Sequence, residues 1–133
     1  FNVPLLEIAV LALRNFSCCE IVTPGPGAAV SVPRQCRAAT RAISCVMLRH
    51  ATNERIQECG SGALWNISAG CGCTRPQMDV MVTEGVRAVA AAMRRYTDNV
   101  SVAKHALGVL WNVTADTAHQ KSVAEAGCVE LVV

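Results

Sequence analysis

A chain of 133 residues, 52% of them apolar, holds enough material for one hydrophobic core. Its 12 lysines and arginines against 10 acidic residues leave a formal charge of +2, too even a balance to argue for a nucleic-acid or membrane-surface partner. Phe1-Asn2-Val3-Pro4 carries no basic leader and the apolar runs are all shorter than the roughly 18 residues of a span, so neither a signal peptide nor a transmembrane helix is expected.

In chain order, Leu5, Leu6, Ile8, Ala9, Leu11, Ala12, Leu13 and Phe16 cover most of a helical circumference, which predicts a helix buried on several sides, with Pro4 at its first turn. Thr23-Pro24-Gly25-Pro26-Gly27 ends regular structure, and 22–34 reads as an inserted, exposed loop. Gln35–Arg49 resumes as an amphipathic helix, with Ala38, Ala39, Ala42, Ile43, Val46 and Met47 on one face and Arg37, Arg41 and Arg49 off it. Thr52-Asn53 offers an N-cap to a helix over Glu54–Ala69, whose first turn holds Glu54, where the helix dipole favours an acid. Thr97-Asp98-Asn99 opens Val100–Ala115 in the same way. Gly70–Thr74 with Arg75-Pro76, and later Asp116-Thr117, read as closing segments. Ala118–Val133 reads as the opening of a further unit, punctuated by Gly127 as Gly85 punctuates the one before.

These elements repeat. Gly62-Ala63-Leu64-Trp65-Asn66-Ile67-Ser68 returns 46 residues later as Gly108-Val109-Leu110-Trp111-Asn112-Val113-Thr114, and the register holds from Arg41/Arg87 through Met47/Met93, Asn53/Asn99 and Ile56/Val102. A weaker copy, Leu11-Ala12-Leu13-Arg14-Asn15-Phe16-Ser17, aligns at an offset of 51, pairing Glu7 with Glu58 and Asn15 with Asn66. Glu84-Gly85-Val86 and Ala126-Gly127-Cys128 lie 42 apart, which sets the underlying unit at that length, extended by loops. The expected organisation is an all-α array: 1–21 as the last helix of one unit, 22–34 as the inserted loop, 35–76 and 77–117 as full units, and 118–133 as the start of a fourth. With no initial Met and a stop in mid-pattern at Val133, the sequence reads as an excerpt of a longer array.

Ala63-Leu64-Trp65-Asn66-Ile67-Ser68, Leu110-Trp111-Asn112-Val113-Thr114 and Val123-Ala124-Glu125-Ala126-Gly127 resemble the armadillo repeat, and Leu13-Arg14-Asn15-Phe16-Ser17 is similar to the version found in catenins. The resemblance spans nearly the whole chain. It implies a right-handed α-solenoid of three-helix units, in which the third helices line a concave groove and a recurrent asparagine hydrogen-bonds the backbone of an extended peptide. Here those asparagines are Asn15, Asn66 and Asn112. The importin-type groove carries a tryptophan four residues before the asparagine, and this chain has Leu11, Gly62 and Gly108 there. Trp65 and Trp111 instead precede the asparagine directly and point about 100° away, toward a neighbouring unit.

On a helical wheel Arg55, Cys59 and Gly62 fall in line with Asn66, and His105 falls one turn before Gly108 on the equivalent stripe. Asn15, Arg55, Asn66, Trp65, His105, Asn112 and Trp111 are therefore the candidate partner-binding residues, an amide with donors and an acceptor being suited to a peptide backbone. Each has a plainer reading: the asparagines as bonds between units, the tryptophans and glycines as inter-unit packing, His105 as a satisfied surface histidine, Arg55 as a solvated charge. The eight cysteines sit mostly at helix-apolar positions, without CxxC spacing, so reduced thiols and no metal are expected. The Asn-x-Ser/Thr sequons at Asn15, Asn66 and Asn112 coincide with the repeat motif, and the one at Asn99 lies at a helix start; all are read as accidental.

No phosphate loop, nucleophile elbow or His/Asp/Glu cluster is visible, so no enzymatic activity and no cofactor are expected. The reading is a protein-interaction module of the cytoplasm, with the nucleus as a second location, that holds an extended segment of a protein partner. The alternatives are a structural spacer within a longer array and, less favoured by Gly62 and Gly108, an importin-type transport adaptor. Apolar ends at Phe1–Phe16 and Cys128–Val133 add an expectation of self-association.

Overall fold

The computed structural model describes residue 7, residues 31–70, residues 75–128 and residue 130. The described residues form helices and turns with no strand among them. The predicted helix of Leu5–Phe16, with Asn15, the Pro/Gly tract of 22–30, and Cys18, Cys19, Cys71 and Cys73 lie outside the described residues, apart from Glu7.

Helix α1 is Ser31–Arg49. It starts inside the segment read from sequence as a loop, because Pro33 falls in its first turn, where a missing N–H costs no intrahelical hydrogen bond. Thr40, Ile43, Ser44 and Met47, spaced at three and four residues, are its buried stripe, and Arg41, Cys45 and Leu48 face outward. At its end the buried Gln57 amide donates to the carbonyls of Met47 and His50, both at 3.0 Å, which satisfies acceptors that the helix itself leaves open.

Helix α2, Glu54–Gly70, begins where Asn53 predicted, the Asn53 Oδ1 accepting the Ile56 N–H at 3.0 Å. The next stretch departs from the sequence reading. Arg75-Pro76 do not close a unit but start helix α3, Arg75–Val80, which runs through a π-helical turn at Met81–Gly85 into α4, Val86–Arg95. Gly85 has a helical φ of −64° and interrupts nothing, whereas Gly127 has a φ of +73° and stops a helix. The two glycines share a sequence context and not a role.

Asn99 Oδ1 accepts the Val102 N–H at 2.9 Å and opens α5, Val100–Thr114. Asp116 accepts from the Ala118 N–H at 2.9 Å, so it begins α6, Thr117–Glu125, as well as ending what precedes it.

The hairpins α1–α2 and α4–α5 lie side by side. Among the described residues the α2–α5 pairing is the most extensive, and α1 packs on α3, the π turn and α4. Between them sits one continuous core that contains Ile43, Met47, Ile56, Leu64, Met81, Val86, Val89, Val102, Val109 and Val113. The 46-residue register survives in three dimensions: Met47 and Met93, Ile56 and Val102, Ala63 and Val109, Leu64 and Leu110, and Ile67 and Val113 are all buried. No helix among the described residues is long and apolar enough to cross a membrane.

Leu64 is fully buried and Leu48 is 39% exposed, both on helices and both leucine. Leu64→Ala is expected to cost about 2–5 kcal/mol in urea unfolding and Leu48→Ala less than about 1, the difference arising from the cavity left at Leu64.

Candidate binding face

The candidate residues gather where α2 and α5 run alongside each other, and the seam between these helices decides what they can do. At its start, the cap residue Asn99 serves two elements at once. Its oxygen caps α5, while its amide nitrogen donates to Glu54 Oε1 at 2.7 Å and Glu58 Oε1 at 2.8 Å on α2. Asn53 does the same one unit earlier, capping α2 and donating to Glu7 Oε1 at 2.7 Å. Hydrogen bonds to an ionised carboxylate are among the stronger ones, so the Asn99 cap ties α5 to α2 and the Asn53 cap ties α2 to Glu7.

Midway along the seam, His105 Nδ1 lies 3.2 Å from the Glu58 carbonyl oxygen, which requires the proton on Nδ1, since the carbonyl can only accept. Its ring faces Trp65 with centroids 5.7 Å apart and planes tilted by 38°. The Trp65 indole lies against Gly108: a Cβ at that position would stand 2.5 Å from Trp65 Cε2 and Nε1. Glycine is therefore needed at 108 to let the preceding unit's tryptophan approach the backbone. At the far end, Asn112 Nδ2 donates to Ser68 Oγ at 2.9 Å, and Ser68 Oγ in turn donates to the Trp65 carbonyl at 2.7 Å. Tyr96 closes the outer layer by donating from Oη to the Ala51 carbonyl at 3.0 Å.

The sequence-predicted site residues separate accordingly. His105 is only 9% exposed and belongs to the seam, not to an open stripe and not to the surface. Trp65 is half-buried and lies across the seam onto α5. Asn66 and Asn112 are half-buried at equivalent points of neighbouring helices, and Arg55 is exposed, its Nε 4.0 Å from Glu7 Oε2. Trp111 is 79% exposed. What stays accessible on this side is Arg55, Asn66 and Ala69 on α2 with Ser101, Gly108, Asn112 and Ala115 on α5, bordered by the edge of Trp65. Ser101 and Ala115 were not singled out from sequence; the 46-residue register, which equates them with Arg55 and Ala69, could have found them.

A His/Asp grouping also escaped the sequence reading. His119 on α6 is buried, with Nε2 3.2 Å from Asp79 Oδ1 on α3 and Nδ1 3.8 Å from Asp116 Oδ2. It docks α6 onto α3 through Asp79. Among the described residues no group of His, Cys, Asp and Glu has the geometry of a metal site. Cys45, Cys59 and Cys128 are free thiols. Burial pushes the Cys128 thiol up from its ordinary value, with the charge of Arg94 opposing that shift. Comparison with family models, with curated proteins and with solved structures gave no match.

Two outcomes follow from this geometry. Gly108→Ala is expected to destabilise the native protein by about 1–3 kcal/mol through collision with Trp65. In a Trp65→Ala background the same change should instead stabilise by up to about 1 kcal/mol, the ordinary helix preference for alanine, so a double-mutant cycle in urea reads a change of sign. Iodoacetamide should modify the exposed Cys45 readily and the buried Cys128 only as the protein opens, as peptide mass mapping would show. Because the folded thiol of Cys128 titrates above the unfolded one, its small contribution to stability is present at neutral pH and is lost as pH rises through the folded value.

Proposed function

We propose that this chain is part of an armadillo-type helical array whose role is to bind protein rather than to catalyse, and that it works in the cytoplasm or nucleus. The partner is an extended peptide segment laid across α2 and α5, along the stripe of Asn66 and Asn112 with Arg55, Ser101, Ala69 and Ala115. The observation that carries this reading is the recurrence of one accessible side-chain pattern on two adjacent helices, held in register by the same cap-to-glutamate bond in each unit. A regular row of carboxamides matches the repeat of an extended backbone, which offers one donor and one acceptor per residue. The Asn112 amide gives one N–H to Ser68 and still carries a second N–H and an acceptor oxygen. In this reading His105 and Gly108 act by setting the position of Trp65, whose exposed edge borders the stripe.

A second reading, that of a spacer that sets distance and curvature in a longer array, is favoured by the Asn112–Ser68 bond and by the Trp65–Gly108 contact, since both use repeat-motif residues for stacking. An importin-type adaptor has less support, because the position of its groove tryptophan is taken here by Gly108, against which Trp65 already lies.

A library of displayed linear peptides selected on the chain, followed by titration of the selected sequence, tests the binding reading. Asn66→Ala combined with Asn112→Ala is expected to weaken capture by about tenfold or more, with helix content unchanged. Undiminished capture, together with a stability loss of about 1 kcal/mol for Asn112→Ala, would move the assignment to the spacer.

A further inference from the structure

One face of α1 carries chemistry that neither the seam nor the stripe uses. Arg41, Cys45 and Arg49 follow one another at intervals of four residues, so the Cys45 thiol stands one helical turn from an arginine in each direction. All three are exposed. Where this face meets the π turn and α4, Cys45, Ser44, Leu48 and Arg49 line a cavity of about 410 Å³, closed on the other side by Thr83, Glu84 and Arg87. Small-molecule sites run from roughly 300 to 1,000 Å³, so this one is large enough for a ligand. Its walls come from α1, the π turn and α4, and what it holds is independent of what the stripe on α2 and α5 binds.

The polar groups of the cavity have bonding capacity to spare. Ser44 is 2% exposed and its Oγ has no hydrogen-bond partner among the described residues, although a buried hydroxyl left unpaired is costly. A ligand in the cavity supplies that partner. Thr83 Oγ1 gives its proton to the Asp79 carbonyl at 2.9 Å, which leaves the oxygen able to accept. Glu84 is held by Arg41, Nε to Oε1 at 3.0 Å, so the acid on the rim is already paired. Arg49 and Arg87 form no ion pair among the described residues and stand as uncompensated positive charge. The cavity thus offers two cations suited to carboxylates, a hydroxyl and an acceptor suited to peptide groups, an apolar wall at Leu48, and a thiol.

We propose that Cys45 is a modification site for a small peptide thiol bearing carboxylates, of the glutathione type, carried as a mixed disulfide and seated by Arg49, Arg87, Ser44 and Thr83. The reaction is a thiol–disulfide exchange. The Cys45 thiolate attacks one sulfur of the ligand's disulfide form, and a new S–S bond joins that sulfur to Cys45 Sγ. The other half leaves as a thiolate and takes up the proton that Cys45 released. One disulfide is consumed and one is formed, so no further oxidant enters, and the reduced thiol reverses the step. Arginine suits this ligand because its planar fork meets a carboxylate with two hydrogen bonds. Cys59 and Cys128 are buried and take no part.

The test incubates the intact chain with oxidised glutathione or with the uncharged disulfide of mercaptoethanol, and follows the adduct on the Cys45 peptide by mass spectrometry. With Arg49→Gln and Arg87→Gln combined, the rate with oxidised glutathione is expected to fall about tenfold at low salt, while the rate with the uncharged disulfide stays within about twofold. Ser44→Ala is expected to lower the equilibrium constant for the glutathione adduct about threefold or more and to leave that for the mercaptoethanol adduct unmoved. The arginines are exposed and the Ser44 hydroxyl holds no described neighbour, so the variants should fold, which circular dichroism checks. Absence of an adduct at Cys45, a glutathione rate retained in the double arginine variant, an equal fall with both disulfides, or a glutathione equilibrium unmoved by Ser44→Ala overturns the proposal.

Discussion

Asn99 holds this structure together at its most sensitive point. A helix needs acceptors for its first N–H groups, and a helix lying beside another needs something to set its height along the axis. One carboxamide meets both needs, because its oxygen satisfies the Val102 N–H while its nitrogen reaches Glu54 and Glu58 on α2. Starting α5 and placing it against α2 are thereby a single event. Asn53 repeats the arrangement toward Glu7.

Once the height is set, the rest of the seam follows from shape. With Asn99 at Glu58, Gly108 falls under Trp65, the His105 ring meets the indole, and Asn112 reaches Ser68. A side chain at 108 would push the helices apart and carry His105 and Asn112 out of reach of their partners, so the glycine is a condition of the hydrogen bonds on either side of it. The seam also apportions the repeat motif. His105 and the buried part of Trp65 are committed to stacking, while Asn66, Asn112 and the small residues beside them keep a solvent-facing side. A peptide bound along the stripe, as proposed, would meet an Asn112 carboxamide already oriented by its bond to Ser68, which reduces the entropy lost on binding.

Much of the layout was legible in the residues. Asn53 and Asn99 marked true helix starts, and the pairs Met47/Met93, Ile56/Val102 and Leu64/Leu110 announced a core that recurs in register. Where the reading failed, a local signal was given a meaning that packing did not support. Pro33 and Arg75-Pro76 looked like breaks and lie in first helical turns, and Gly85 looked like a stop and lies in a π turn that joins two helices. Asp79 lies too far in sequence from the neighbours Asp116 and His119 to suggest a cluster, and the folding of α6 onto α3 creates it.

By itself the chain's pattern determined the helical class and the 46-residue register, since these depend on spacing along the chain, whereas the buried stripe of α1 runs through Thr40, Ile43, Ser44 and Met47 and leaves Ala38 and Ala42, read as apolar-face residues, exposed. Only the tertiary structure decided which polar residues are consumed and which remain open. His105 and Asn112 lie on nearly the same stripe of α5, and one is buried against Trp65 while the other keeps an exposed side. Trp65 and Trp111 occupy one motif position, and one is half-covered while the other is bare. The physical reason is that accessibility belongs to a pair of elements, set by what lies across the seam, and a periodicity within one helix carries no record of its neighbour.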